Sequence, residues 1–401
     1  MAARPSEDGA APLVFEADAR GVFMTRWVQV AFLLIATNAV LIQTIATDDS
    51  PIKNAIRIGV LVITAFFMFV RQTVFPAAMV FMLLATAILL LGTGNTDQFT
   101  ILYVLLFVPA MWSISERSLW RAGMIASVFA LLLVFVFLRL GLTANELVIS
   151  QNPLADEVRS RNTFGTQGVP FFMNLVYGAV TMTIFYLYKW RIRGRLVVAA
   201  IGVAVATYLF IQTDGRGGYI AIWFFIAFAL IMRGMVKISF FRPLLAIQPI
   251  LMLGVSLLLA AERNSPWWNL TFSFRPLLYG QFLDSVTVWD LLYSTTVKND
   301  ANATTVDSSS FHLLFGGGIV TFALFCIIFA RAVYTLIKRG KYLELAFLTS
   351  VMMYSTNESI MLRVENVFIM FAWYLILRYG LAEHERRVRV QTPGALQTVA
   401  R

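Results

Sequence analysis

The stretch Tyr219-Ile220-Ala221-Ile222-Trp223-Phe224-Phe225-Ile226-Ala227-Phe228-Ala229-Leu230-Ile231-Met232-Arg233 stays apolar until its last residue. With Arg216-Gly217-Gly218 before it, the run approaches the roughly twenty residues that an α-helix needs to cross a bilayer. It shows no alternation of apolar and polar positions, so it does not read as a strand of a membrane barrel, whose segments alternate over roughly ten residues. Comparable runs recur throughout the 401 residues, of which 59% are hydrophobic and 13% charged, with a mean hydropathy of +0.75. That balance excludes a soluble domain. The expected fold is an all-α polytopic integral membrane protein.

Twelve candidate spans lie at about 27–46, 55–70, 74–93, 101–115, 123–141, 169–188, 196–213, 217–233, 241–261, 309–331, 342–356 and 366–381. An even number places both termini on one side. Five basic clusters fall on that side: Arg117 with Arg121, Lys189 to Arg195, Arg233 to Arg242, Lys338 to Lys341, and Arg386 to Arg389. Cationic short loops mark the cytoplasmic face. The expected organisation is therefore a cytoplasmic tail over 1–26, one transmembrane domain over 27–381 and a cytoplasmic tail over 382–401. The net charge of +10 then orients the chain in the bilayer, and no nucleic-acid partner is expected. The first 25 or so residues lack the apolar core of a cleavable signal. Cys326 is the single cysteine and lies mid-span, so no disulfide forms within the chain.

Two long connections, 142–168 and 262–308, face away from the cytoplasm in this scheme, the second between spans nine and ten. The second carries Pro266-Trp267-Trp268-Asn269-Leu270 and an aromatic-rich stretch from Phe274 to Trp289. Such composition suits amphipathic helix lying at the membrane surface. No internal repeat is visible, unlike transporters built from duplicated halves.

Arginine is scarce on the far side of a membrane, so Arg216 and Arg275 need a reason. A phosphate-bearing lipid supplies one, because the guanidinium fork matches phosphate geometry. Arg216 is flanked by Gly215, Gly217 and Gly218 at a helix start, where backbone can approach an anion; the plain alternative is an arginine snorkelling to headgroups. Arg275 precedes Pro276, which suits the first turn of a helix; taken alone it reads as a solvated charge. Asp307, before Ser308-Ser309-Ser310, reads either as a helix N-cap or as a general base. His312 lies five residues on and is the alternative base, whereas His384 sits among the charges of the C-terminal tail. Glu358 and Arg363 occupy the last outward turn and read as substrate contacts or as a mutual pair. Gly316, Gly317 and Gly318 read as a close helix-packing surface. The Asp48-Asp49 pair is too isolated to be a metal site, and neither metal nor cofactor is expected.

In these segments the chain resembles the O-antigen polymerase and O-antigen ligase superfamily of bacterial polysaccharide assembly. Asp214-Gly215-Arg216-Gly217-Gly218-Tyr219 resembles the short Arg-Gly element that opens a transmembrane helix. Phe272-Ser273-Phe274-Arg275-Pro276-Leu277-Leu278-Tyr279 resembles the arginine element of the large periplasmic loop. Asp307-Ser308-Ser309-Ser310-Phe311-His312-Leu313-Leu314, with Gly318 beyond it, resembles the closing element. Asn357-Glu358 through Asn366 resembles the last outer turn. Order and spacing agree over about residues 200–380. Ser308 stands where the family usually has Asn, and the glycine-rich turn expected near Leu291–Thr296 is missing. Aspartate where ligases carry histidine favours a polymerase.

The resemblance implies a multi-pass glycosyltransferase of the bacterial inner membrane, with both termini cytoplasmic and its site extracytoplasmic. Donor and acceptor would be oligosaccharides on undecaprenyl diphosphate, polymerised by direct displacement with inversion and without metal. Arg216 and Arg275 would meet the diphosphate, Asp307 would take the acceptor proton, and Gly217, Gly218, Tyr279, Glu358 and Arg363 would line the substrate. A chain-length regulator is an expected partner beside the lipid bilayer. The alternatives are an O-antigen ligase acting on lipid A-core, a lipid-linked oligosaccharide transporter, and a non-catalytic scaffold. A transporter calls for cations deep within the spans.

Overall fold

The computed structural model describes residues 19–45, 51–70, 77–112, 114–145, 147–152, 157–299, 304–356 and 358–381. The two tails beyond Ala19 and Leu381, Asp48-Asp49, Asn357, His384 and the Arg386–Arg389 cluster lie outside these residues. Helices α1 (Ala19–Thr44), α2 (Pro51–Val70), α3 (Ala77–Thr93), α4 (Thr96–Met111) and α5 (Glu116–Arg139) come first. After a hairpin of β1 (Leu147–Asn152) and β2 (Glu157–Asn162) follow α6 (Val169–Lys189), α7 (Arg195–Thr213) and α8 (Arg216–Met235). Next are α9 (Phe241–Ala246), α10 (Gln248–Ala261), α11 (Pro266–Thr271), α12 (Arg275–Ser285) and α13 (Val288–Tyr293). A short hairpin, β3 (Lys298–Asn299) and β4 (Thr304–Thr305), leads to α14 (Ser309–Phe311), α15 (Ile319–Lys338), α16 (Tyr342–Tyr354) and α17 (Val367–Gly380).

Among the described residues, six helices are long and apolar enough to cross a membrane: α1 from Val22, α5, α6, α7, α8 and α15. The chain is a helical multi-pass membrane protein. Each expected span overlaps a helix among the described residues, with three differences. Helix α1 begins at Ala19, so the last residues of the expected N-terminal tail are helical. The span at 241–261 is two helices, α9 and α10, parted at Ile247, and Pro249 sits in the first turn of α10. Proline lacks the amide that would continue the ladder. The span at 309–331 is broken at its start. After Ser309–Phe311 the chain makes a π-turn over His312–Gly316, and Gly318 adopts φ +80° before α15 begins. The glycines expected to form a packing surface are thus the break itself. The connection at 142–168 also departs from all-α, since β1 and β2 pair antiparallel with Leu147 opposite Asn162.

The core is centred on α17, whose side chains are buried on nearly every face. Around it Trp120 stacks on Phe185 at 3.7 Å and lies 4.5 Å from Phe371. Gly123 and Gly178 have no space for a β-carbon against Phe371 and Phe368, so α5 and α6 approach α17 closely. By contrast α7 and α8 expose Leu196, Val197, Ile211 and Leu230, as lipid-facing helices do.

Helices α16 and α17, at 13 and 14 residues, are joined by an irregular segment over 355–366 folded into the bundle. Ser355, Ile360, Met361 and Val364 are buried there. Irregular backbone at such depth survives only if its polar groups find partners. Ser309 N–H donates to Ser355 O at 3.1 Å, Ser309 Oγ to Glu358 O at 2.7 Å, and Trp373 Nε1 to Met361 O at 2.9 Å. Arg57 of α2 and Glu365 form a buried ion pair beside it. The result is a hydrogen-bonded platform at one end of the bundle, irregular apart from a 3-10 turn at Ile360–Leu362.

Candidate functional site

Four pieces of chain meet on that platform: the start of α12, the segment before α14, the 355–366 segment and the start of α8. Helix α12 begins at Arg275 after two left-handed residues, Ser273 (φ 53°) and Phe274 (φ 62°). Two consecutive non-glycine residues in that region are uncommon and require surrounding support. Asn269 supplies it. Its backbone carbonyl accepts from Phe274 N–H at 2.7 Å, and its side-chain oxygen accepts from Leu277 N–H at 3.0 Å.

Arg275 Nη2 donates to Glu358 Oε1 at 2.8 Å and lies 3.9 Å from Asp307 Oδ2. On the other side of Asp307, Arg363 Nη2 reaches Oδ1 at 3.5 Å while its Nε donates to Ser359 Oγ at 3.2 Å. The Arg363 guanidinium is also 4.3 Å from the centre of the Phe171 ring, a cation–π distance. Glu358 and Arg363 therefore do not simply pair with each other; each finds its partner on another segment. Three atoms of this quartet, Arg275 Nε, Arg363 Nη1 and Glu358 Oε2, are buried without a hydrogen-bond partner. Such groups cost about 1–3 kcal/mol each when left unpaired.

Burial works against the charge of Arg275, but Glu358 and then Asp307 outweigh it and hold its pKa above the ordinary guanidinium value. Burial pushes Glu358 up to about 7 against the opposing pull of Arg275, and Asp307 adds to the rise. Because a guanidinium stays charged at any working pH, the member of this pair that titrates is Glu358.

Tyr279 is fully buried, and its hydroxyl donates to the backbone carbonyls of Asp307 and, at 3.4 Å, Thr356. Burial raises its pKa, with Arg275 opposing, so it remains a donor. It serves as a strut between two segments rather than as an open substrate contact. Asp307 is not a helix cap. That position belongs to Ser308, whose Oγ accepts from Phe311 N–H at 3.4 Å and lies 2.9 Å from Ser256 Oγ. The Asp307 carboxylate is left about one-third exposed.

Arg216 starts α8 as expected, but it does not join the quartet. Its Nε donates to Asp214 Oδ1 at 3.1 Å, its side chain is half exposed, and Asp214 is also gripped by Arg161 at 3.3 Å. The glycines around it divide their work. A β-carbon on Gly218 would lie 2.7 Å from the Met173 carbonyl, so Gly218 lets α8 close on α6. One on Gly217 would lie 3.7 Å from Glu358 Oε1. The carboxyl group thus sits beside a helix N-terminus, where negative charge is favoured.

His312 does not face the quartet. Its Nδ1 is 2.6 Å from Asp97 Oδ2 and its Nε2 is 2.9 Å from Val306 O. Both nitrogens are occupied by acceptors, which leaves no lone pair for a substrate hydroxyl. Asp97 is absent from the sequence-based set, since one acid in the first turn of an apolar helix reads as ordinary dipole compensation. Arg57 and Glu365 are absent for a different reason: their pairing crosses most of the chain. Comparison with protein-family models, curated proteins and solved structures finds no match to this chain.

Proposed function

We propose that this protein is a glycosyltransferase that polymerises oligosaccharide repeat units carried on undecaprenyl diphosphate. In this reading the twelve helical stretches cross the bacterial inner membrane, both termini are cytoplasmic and the quartet opens at the outer face. The observation that carries it is the Arg275–Glu358 and Arg363–Asp307 cross-pairing with its two unfilled guanidinium donors. A diphosphate offers acceptor oxygens of the geometry those donors require. In this reading Arg216, half exposed on the adjoining helix start, closes on the diphosphate once it leaves Asp214.

The acceptor hydroxyl attacks the anomeric carbon of the donor. The new C–O bond forms as the bond to the phosphate oxygen breaks, and the electron pair leaves on the lipid diphosphate. Arg275 and Arg216 stabilise that developing charge. Asp307, the one exposed carboxylate of the quartet, accepts the hydroxyl proton. Opposite-face attack inverts the anomeric configuration. Placement of the charged clusters at the ends of the bundle, rather than along the spans, favours transfer at a surface over transport.

The test is reconstitution of the purified protein with undecaprenyl diphosphate repeat units. The expected result is a ladder of longer products together with free undecaprenyl diphosphate, lost in Arg216→Ala and Arg275→Ala. Unchanged ladders from both variants would reject the site. Transfer to lipid A-core with no ladder would make the protein a ligase instead.

A further inference from the structure

We propose that Asp97 and His312 form a strap that positions Asp307, an inference that rests on the reading of Asp307 as the base. The strap begins in the first turn of α4, a helix that contributes nothing to the quartet. Asn95 caps that turn through Asp97 N–H at 3.0 Å. From there α4 grips the 295–316 segment at both ends. Asn95 Nδ2 donates to Thr295 O at 2.7 Å, and Gln98 Nε2 donates to Gly316 O at 2.8 Å. Asp97 reaches the middle of this segment through His312.

The contact depends on the local geometry of the break before α15. The π-turn, closed by Gly317 N–H to His312 O at 2.9 Å, is a form that recurs at functional sites. Gly316 has no β-carbon, and one there would lie 2.2 Å from Asp97 Oδ2. The acid can approach His312 only because that residue is glycine.

The consequence falls on the two peptide units that flank Asp307. The carbonyl before it, Val306 O, accepts from His312 Nε2–H and from Ser308 N–H at 2.9 Å. The carbonyl after it, Asp307 O, accepts from Tyr279. With both peptides pinned, the carboxylate keeps only its side-chain rotations. Among the described residues, the charged groups that act on His312 are Asp97 from α4 and Asp307 from its own segment. The first holds the imidazole and the second is what the imidazole places. A carboxylate that fixes a histidine in this way typically matters about 10–100-fold in activity, by analogy with the outer partners of metal-bound histidines. Neither residue touches substrate.

Asp97→Ala in the full-length protein should lower turnover in the ladder assay by about 10–100-fold and leave the donor KM little changed. Asp97→Asn, which keeps an acceptor for the ring, should restore most of the rate. Gly316→Ala, which removes no charged group but displaces Asp97, should reproduce the loss. In an Asp307→Asn background Asp97→Ala should cost nothing more, because its only route runs through Asp307; a full further loss there would mean a general structural role and overturn the strap. Amide hydrogen exchange over 304–308 in the reconstituted protein supplies a readout independent of activity. Faster exchange in Asp97→Ala supports the strap, and unchanged exchange with an unchanged rate overturns it while the polymerase reading stands. If the wild-type protein gives no ladder, the polymerase reading falls and the exchange comparison alone decides the strap.

Discussion

The two ends of the helical bundle carry the same kind of cluster, two acids and two bases, with opposite outcomes. At the end formed by the start of α5 and the end of α6, Lys189 lies 2.5 Å from Glu116 and 2.6 Å from Glu344. Lys341 completes the set at 3.2 Å from Glu116 and 3.5 Å from Glu344. None of these four side chains leaves a buried polar atom unpartnered. At the other end Arg275, Arg363, Glu358 and Asp307 pair only in part, and three of their atoms have no partner. Lysine is a flexible point charge that adapts to the acids around it, whereas an arginine fork held by backbone and ring contacts keeps donors to spare. One cluster satisfies its own polar atoms; the other keeps two guanidinium donors and a carboxyl oxygen without a partner.

The comparison can be broken most directly at the carboxylate. Asp307→Asn should slow polymer formation by about 10²–10⁴, measured as single-turnover release of lipid diphosphate, while the thermal midpoint stays near wild type. Arg275→Ala should follow with a loss of about 10²–10³, and Arg275→Lys should recover little of it because a point charge cannot replace the fork. The matching change at the fully paired end, Lys189→Met, should behave in reverse. Activity per folded molecule should hold while stability falls by about 1–3 kcal/mol, because two acids lose a shared partner; thermal unfolding in detergent checks this. Equal activity losses at both ends would erase the distinction between them.

A smaller effect sharpens the same contrast through pH. Glu358 is neutral below about 7, where burial holds its proton, and Arg275 is then free to meet an anion. As pH rises through about 7 the carboxylate ionises and competes for that guanidinium. Relative to Glu358→Gln, which removes the titrating group, binding of diphosphate to the wild type should therefore weaken between pH 6 and 8, as titration calorimetry on both proteins would show. Linkage gives the same sign for stability. The folded chain holds a proton that the unfolded chain releases between about 4.5 and 7, so stability falls as pH rises across that window.

Much of this was legible from the chain alone. Arg275, Asp307, Glu358 and Arg363 are charged residues in an apolar sequence, at the edges of runs that must bury themselves, and the fold brings all four together. Arg216 was equally conspicuous, yet its guanidinium is held by Asp214, two residues away, a local competitor that outranks the distant acids. Tyr279 and His312 were legible as polar residues near the site but not as struts, because their partners are backbone carbonyls that every residue possesses. Asp97 carried almost no signal. The one available hint was the Asn95 cap opening a helix too short to span by itself.

What the sequence by itself determined is the helical membrane fold, because uninterrupted apolar runs leave the backbone no partners but its own. It also determined which ionisable groups stand out, because charge is too costly in such a chain to be scattered without cause. Which of those groups meet was decided by tertiary structure alone. The 355–366 segment, the π-turn and the left-handed entry to α12 are irregular shapes held by contacts between residues far apart in sequence, and only the assembled bundle can supply them.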